Sequence, residues 1–322
     1  MKVWYSGFNL YNQFHISREH IVNDFSVFKY GTIQNLVFSH TYIAAQNANT
    51  ITFYGRVSSN LSIQEVRNIS QIAAVDNITY ILYNDGTIKK VDTASGEITD
   101  VPNFLQTENP GTSDYITKIA CGSKMNVAVS YNNDVYNIPN KIEYNGKRVK
   151  DVASGHEHCL ILDNYGNVYS FGNGLRGQLG HGALENLMNP TLIDALAGVK
   201  INKIAAGGWH SCAVSDSGDL YTWGWNRNGQ LAVPTRDPSV FATPQLINFQ
   251  NDDYNVNNVA CGSNHTVILV GSQVYGAGWN KYKQLGSISN ENIYEFKLLK
   301  NFCFDEILSV TCGPWCTAVI TK

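Results

Sequence analysis

Val152-Ala153-Ser154-Gly155-His156-Glu157-His158-Cys159-Leu160-Ile161-Leu162 is followed by the turn Asp163-Asn164-Tyr165-Gly166, then Val168-Tyr169-Ser170-Phe171, then Gly172-Asn173-Gly174-Leu175-Arg176-Gly177-Gln178. These positions, within residues 152–178, decide the fold. A strand of small residues ends at Gly155, an apolar strand follows the Gly-x-x-His motif, and Asp, Asn and Gly supply the left-handed positions of a hairpin turn. An alternating strand then runs into a glycine-rich corner ending in glutamine, which completes a β-meander.

The unit recurs. Gly207 and His210 open a second copy that turns at Gly224 and ends at Gln230, and Gly262 and His265 open a third that turns at Gly278 and ends at Gln284. The corners Gly172, Gly224 and Gly278 lie about 52 to 54 residues apart, a spacing that belongs to propellers and arrays. Weaker inner strands start near Leu36, Ile72 and Ile119, and a last one near Val310 leads through Gly313 to the chain end without an outer strand. The missing strand is at the other terminus, where Gly7-Phe8-Asn9-Leu10-Tyr11-Asn12-Gln13 repeats the glutamine corner. Seven copies, averaging about 46 residues, predict an all-β, seven-bladed β-propeller over residues 1–322 as a single domain, with blades starting near 36, 72, 119, 152, 204, 259 and 310. Its last blade is closed by an N-terminal strand at 3–14 with C-terminal strands at 308–321. Closure removes the free sheet edges that an open ring would expose. The longest loop-like segment is expected from Ala232 to Asn258.

Composition narrows the function. A formal net charge of −3 provides no electrostatic drive toward nucleic acid or anionic membrane. No run of 18 apolar residues and no signal-like start is present, and seven cysteines without a CxxC pair favour a reducing compartment. The expectation is an intracellular protein, nuclear or cytoplasmic, without disulfides, membrane contact or direct nucleic-acid contact, and monomeric.

The repeats resemble the regulator of chromosome condensation family, whose pattern of small-small-Gly-x-x-His followed by an aromatic-Gly corner and Gly-Gln is met at 152–182, 203–231 and 258–286. Thr311-Cys312-Gly313-Pro314-Trp315 and Ala205-Ala206-Gly207-Gly208-Trp209-His210-Ser211 sharpen the likeness to animal members. The resemblance implies a seven-bladed propeller that acts as a protein-binding scaffold. For those animal members it implies association with a JmjC-type 2-oxoglutarate oxygenase and a chromatin and mitotic role, with histones reached indirectly. The founding member implies an alternative, nucleotide exchange on the small GTPase Ran. That member carries a basic N-terminal tail, whereas this sequence is expected to begin directly with a strand.

Each apparent chemical motif has a structural reading. Gly172 to Gly177 matches G-x-G-x-x-G, but a dinucleotide fingerprint needs a helix after it, and Gln178-Leu179-Gly180-His181-Gly182 is a poor one. His158, His210 and His265, with His40 assigned to the same position, recur once per blade and do not converge on one metal; each is expected to bond a backbone carbonyl. Cys121, Cys261 and Cys312 read as small buried residues. The glutamines Gln13, Gln178, Gln230 and Gln284 are expected to tie each corner to the neighbouring blade. With no carboxylate pair, ligand spacing or Ser-His-Asp arrangement, neither an enzyme, a metal nor a cofactor is expected.

Two candidate binding surfaces remain. Trp209, Trp225, Trp279 and Trp315 sit next to motif glycines, and Arg176, Arg227 and Lys281 are expected to form a small basic patch. Aromatics and arginines at loops are frequent anchors for partners, and Trp209, Trp225 and Arg227 are the residues singled out. The second surface is residues 134–150, where the aromatic-Gly corner is replaced by a segment containing Pro139, Asn140, Lys141, Lys147 and Arg148. A departure from the repeat that does not help the ring is a candidate interaction site.

Overall fold

The structure is a computed structural model and describes residues 1–14, 19–28, 33–47, 50–58, 61–64, 68–105, 114–235, 237, 239–248, 255–288 and 291–322. Seven four-stranded antiparallel sheets form a seven-bladed β-propeller. The innermost strands are Asn35–Phe38, Ile69–Val75, Ile116–Cys121, Val149–Ser154, Ile201–Ala206, Val256–Cys261 and Ile307–Gly313. Each touches the next, and the last touches the first, so the ring is closed. The blades are numbered one to seven in that order. Among the described residues no helix is long and apolar enough to cross a membrane.

Blade seven is built from both ends of the chain. Its order from the axis outward is Ile307–Gly313, Cys316–Thr321, Lys2–Phe8 and Ile21–Phe28. The N-terminal strand is shorter than the expected 3–14, because Gly7 (φ 129°) begins the corner and residues 9–14 belong to it. The terminus also contributes a second strand, Ile21–Phe28, that the repeat pattern did not announce. The stretch read as a loop from Ala232 to Asn258 contains the outer strand of blade five, Val240–Leu246; its residues 236, 238 and 249–254 lie outside the described residues.

The core lies between blades rather than at one centre. Seven apolar clusters each join one blade to the next, such as Leu160, Ile161's neighbour Leu162, Ile204 and Trp223 between blades four and five. This explains the continuous apolar second strands. His158–Asp163, His210–Ser215 and Cys316–Thr321 are buried at every position, because a blade covers each of their two faces.

The motif glycines set how closely blades approach around the axis. A Cβ on Gly207 would lie 2.6 Å from the carbonyl oxygen of Gly262 in the next blade and 2.6 Å from Nδ1 of its own repeat's His210; one on Gly262 would lie 2.7 Å from the Gly313 carbonyl oxygen. Backbone cannot yield as a side-chain tip can, so Gly207→Ala is expected to cost about 3 kcal/mol, the upper end for overpacking. A chain of this size should then melt about 5 °C lower. An unchanged melting temperature would show that the blades have slack there.

Candidate functional site

The repeat histidines are structural: each meets a hydroxyl of the next blade, beside the backbone carbonyl of His210, His265 and Cys316 respectively. His158 Nε2 lies 2.9 Å from Ser211 Oγ of the next blade, His210 Nε2 lies 2.9 Å from Thr266 Oγ1, and His265 Nε2 lies 3.3 Å from Thr317 Oγ1. Ser211 donates to the Gln178 carbonyl at 2.8 Å and Thr266 to the Gln230 carbonyl at 2.6 Å. Each hydroxyl has thus spent its proton and accepts from the imidazole, which fixes Nε2–H on His158 and His210. Burial lowers His158 and His210 to about 3 and His265 to about 4, so all three are neutral at physiological pH. His40 is not in this series. The first residue of the second strand of blade one is Tyr42, whose hydroxyl bonds Thr79 Oγ1 (2.7 Å) as the histidines bond their hydroxyls. His40 stands instead where His156 stands.

The glutamine side chains act mainly within their own corners. Oε1 of Gln178, Gln230 and Gln284 accepts from the backbone N–H two residues earlier, at 2.9, 2.9 and 3.0 Å. The tie to the next blade runs through the glutamine carbonyls, reached by Ser211, Thr266 and the Trp223 indole N–H (3.0 Å to Gln178). Gln13 Nε2 alone reaches across, to the His40 carbonyl at 3.5 Å. The apparent dinucleotide signature is a packing device: a Cβ on Gly174 would collide with the Glu185 carbonyl, and turns, not a helix, follow.

The inner strands all end at one face, here called the upper face, and there the corners assemble an aromatic arc. The Arg176 guanidinium lies over both Trp209 (4.3 Å) and Trp225 (4.6 Å). Trp209 neighbours His156 (5.6 Å), His156 neighbours His40 (6.4 Å), and His40 neighbours Trp315 (4.8 Å). Trp315 continues to Phe8 and Tyr282, and Tyr282 to Trp279. All these rings are half-buried, with Leu175 (59% exposed) projecting from the same corner as Arg176. The proposed basic patch is altered accordingly: Arg176 is held by tryptophans, while Arg227 and Lys281 are exposed at the equivalent corners of blades five and six.

Inside the arc the central channel opens in a cavity of about 120 Å³, lined by His40, Asp76, Ser123, His156, Ser263 and Pro314 among others. That is well below the roughly 300–1,000 Å³ of sites that enclose small molecules. Burial lowers the pKa of both His40 and His156. Deeper in, the structure brings His210, Cys212 and Cys261 together with their potential ligand atoms within 4.8 Å. Single histidines can therefore meet cysteines of an adjoining blade, which the once-per-blade spacing concealed. Here His210 Nε2 is engaged by Thr266 and the two thiols are 3.5 Å apart, with burial pushing Cys261 well up and keeping it a thiol. A larger cavity, about 440 Å³, lies between blades two and three beside Phe104, Leu105 and Tyr115.

The 134–150 segment is not one patch. Val135–Asn137 and Asn140–Ile142 pair as a tight hairpin through a cis Ile138-Pro139 peptide, which puts Pro139 and Asn140 at the upper face. The chain then returns along the blade edge, so Lys147 and Arg148 lie at the opposite face, where Arg148 covers Tyr131 (5.3 Å). Lys141, between them, pairs with Asp134 at 2.9 Å. By contrast Trp209 and Trp225 do share one face. Sequence reasoning passed over His40 and His156 as members of this arc; the signal available was that each falls just after a motif glycine or its equivalent, at an inner-strand end.

The family model of the Regulator of chromosome condensation (RCC1) repeat matches residues 165–214 and 217–269, and a second model of the same repeat matches 149–178 and 201–230. Residues 149–269 therefore match the RCC1 repeat. The chain is 36% identical over 211 residues to RCC1 domain-containing protein 1 of Homo sapiens, covering 53% of this chain and 56% of that protein. It is 39% identical over 142 residues to the ultraviolet-B receptor UVR8 of Arabidopsis thaliana, covering 44% of this chain and 32% of that one. The chain thus spans about half the length, or less, of the curated relatives it matches. In fold, the crystal structure of Prp20p from Saccharomyces cerevisiae, described with its binding properties to Gsp1p and histones, superposes with a TM-score of 0.84 at 17% identity, over 99% of this chain and 91% of that chain. Human WBSCR16 superposes with a TM-score of 0.80 at 14% identity, over the full length of both chains. The RCC1-repeat matches centre on blades four to six, which carry Arg176, Trp209 and Trp225.

Proposed function

We propose that this RCC1-repeat propeller is a non-catalytic scaffold that binds a protein partner through its upper face. The observation that carries the reading is the arc from Trp225 through Arg176, Trp209, His156 and His40 to Trp315, held half-buried on rigid blade corners. Trp and Arg dominate the energetics of protein interfaces, and rings already immobilised by packing lose little entropy on binding. The naming of Gsp1p and histones as binders of Prp20p, a propeller of the same fold, is consistent with such a role. A JmjC-type oxygenase with a chromatin role is the finer partner proposed, on the likeness to the animal RCC1 domain-containing protein.

Capture from nuclear and cytosolic extract tests the reading. The Trp209→Ala, Trp225→Ala double variant is expected to lose the wild-type partner by at least about thirtyfold, since a single anchor is worth about 2 kcal/mol. Lys147→Glu with Arg148→Glu, at the opposite face, should leave capture intact. Loss confined to the second pair would transfer the site to blade three and sink the proposal. A JmjC protein among the Trp-dependent partners supports the finer reading, and accelerated nucleotide release from Ran would replace it with the exchange-factor alternative.

A further inference from the structure

Within the aromatic arc, the channel mouth has a charge pattern of its own. Asp76 is the one charged side chain among the described residues lining it, and no lysine or arginine lines it. Asp76 sits exposed at a turn (φ 48°), with no ion-pair partner among the described residues. Its main-chain carbonyl is anchored by the Ser39 hydroxyl, which holds the turn over the opening. Two cations near His156 are already engaged: Lys124 pairs with Glu157 at 2.6 Å, and Arg176 lies between its tryptophans. Asp76, His40 and His156 line the same cavity, with the two imidazole rings 6.4 Å apart. That space, about 120 Å³, suits the end of one long side chain rather than a metabolite.

We propose that the channel mouth is a socket for a single arginine side chain presented by the protein partner, with the Asp76 carboxylate receiving the guanidinium beside the His40 and His156 rings. The proposal rests on the upper face being the binding face and adds the chemistry of the residue at its centre. A guanidinium suits the site better than an ammonium for two reasons. Its planar fork matches a carboxylate and stacks on ring faces, and it is more weakly hydrated, so entering a narrow mouth costs it less. The same face already holds a guanidinium against aromatic rings at Arg176.

The test uses the full chain with isotope-labelled histidine and three probes: N-acetyl-arginine methylamide, its lysine counterpart, and its citrulline counterpart, a neutral isostere of arginine. The arginine probe is expected to shift the His40 and His156 ring resonances saturably at millimolar concentration, with the lysine probe weaker and the citrulline probe at least about tenfold weaker, the worth of a charge-assisted hydrogen bond. Asp76→Asn, which keeps a side chain tolerant of the left-handed backbone, should weaken the arginine probe by a similar factor. Equal shifts from citrulline, a stronger response to lysine, or an unaffected Asp76→Asn variant would each overturn the socket. If the probe fails while the Trp209, Trp225 variant still loses the partner, only the socket falls; if the probe binds while that variant retains the partner, only the broader face does.

Discussion

Deletion of residues 1–14 is expected to abolish the cooperative native state rather than trim an edge. Lys2–Phe8 is an interior strand of blade seven, paired on one side with Cys316–Thr321 and on the other with Ile21–Phe28. Removing it strips the ladder from both neighbours and detaches the outer strand. Val3, Tyr5 and Phe14 are almost fully buried, in the cluster that joins blade seven to blade one through Leu36, Phe38 and Ile43. On its other side Trp4 packs on Phe302 (5.4 Å) under Lys300, and its indole bonds Thr321 at 3.2 Å. Burial of Val3, Tyr5 and Phe14 alone is worth about 6 kcal/mol, within the 5–15 kcal/mol that separates folded from unfolded domains. The truncated chain should show no sigmoidal urea transition and rapid amide exchange across all seven blades. A transition of wild-type steepness would mean that the ring holds without its seam.

Acidification from pH 7.5 to 5.5 should remove about 4 kcal/mol of stability through three histidines. His158, His210 and His265 are neutral in the fold down to about pH 3 to 4, while in the unfolded chain they protonate near 6.5. Their folded values are depressed, so their contribution is complete above 6.5 and is lost as pH falls toward the folded values. Below 6.5 the unfolded state binds protons that the native state refuses, each worth about 1.4 kcal/mol by pH 5.5. His40, His156 and His181, also lowered by burial, act in the same direction. Urea unfolding at the two pH values measures the loss, and His158→Gln should flatten the dependence by about a third of the three-histidine share. Stability that does not change over this range would show that the imidazoles accept protons in place.

The legible and illegible parts of this fold separate by residue type. Gly155, Gly207 and Gly262 announced the inner-strand ends, because only a glycine leaves room for the histidine three residues later and for the next blade's carbonyl. Blades four to six could therefore be read strand by strand. Ile21–Phe28 could not, since an outer strand touches one neighbour, and its mixed burial leaves no strict alternation. The same holds for the hairpin at Ile138-Pro139, where a corner was expected to decay and a tight turn formed instead. Trp209 and Trp225 were recognised as candidate anchors, but not that Arg176, rather than Arg227, lies between them.

By itself the sequence determined the number of blades, the pairing of the two termini in the last of them, and the structural rather than cofactor role of Gly172 to Gly177. Those properties follow from local backbone demands repeated at a fixed spacing, which one chain displays in full. Only the tertiary structure decided which residues share a face. A ring folds positions more than a hundred residues apart, such as His40 and His156, onto one channel mouth, and it sends Pro139 and Arg148, nine apart, to opposite ends. Direction along a strand and position around a closed ring set those neighbours, and neither is a property of any local stretch.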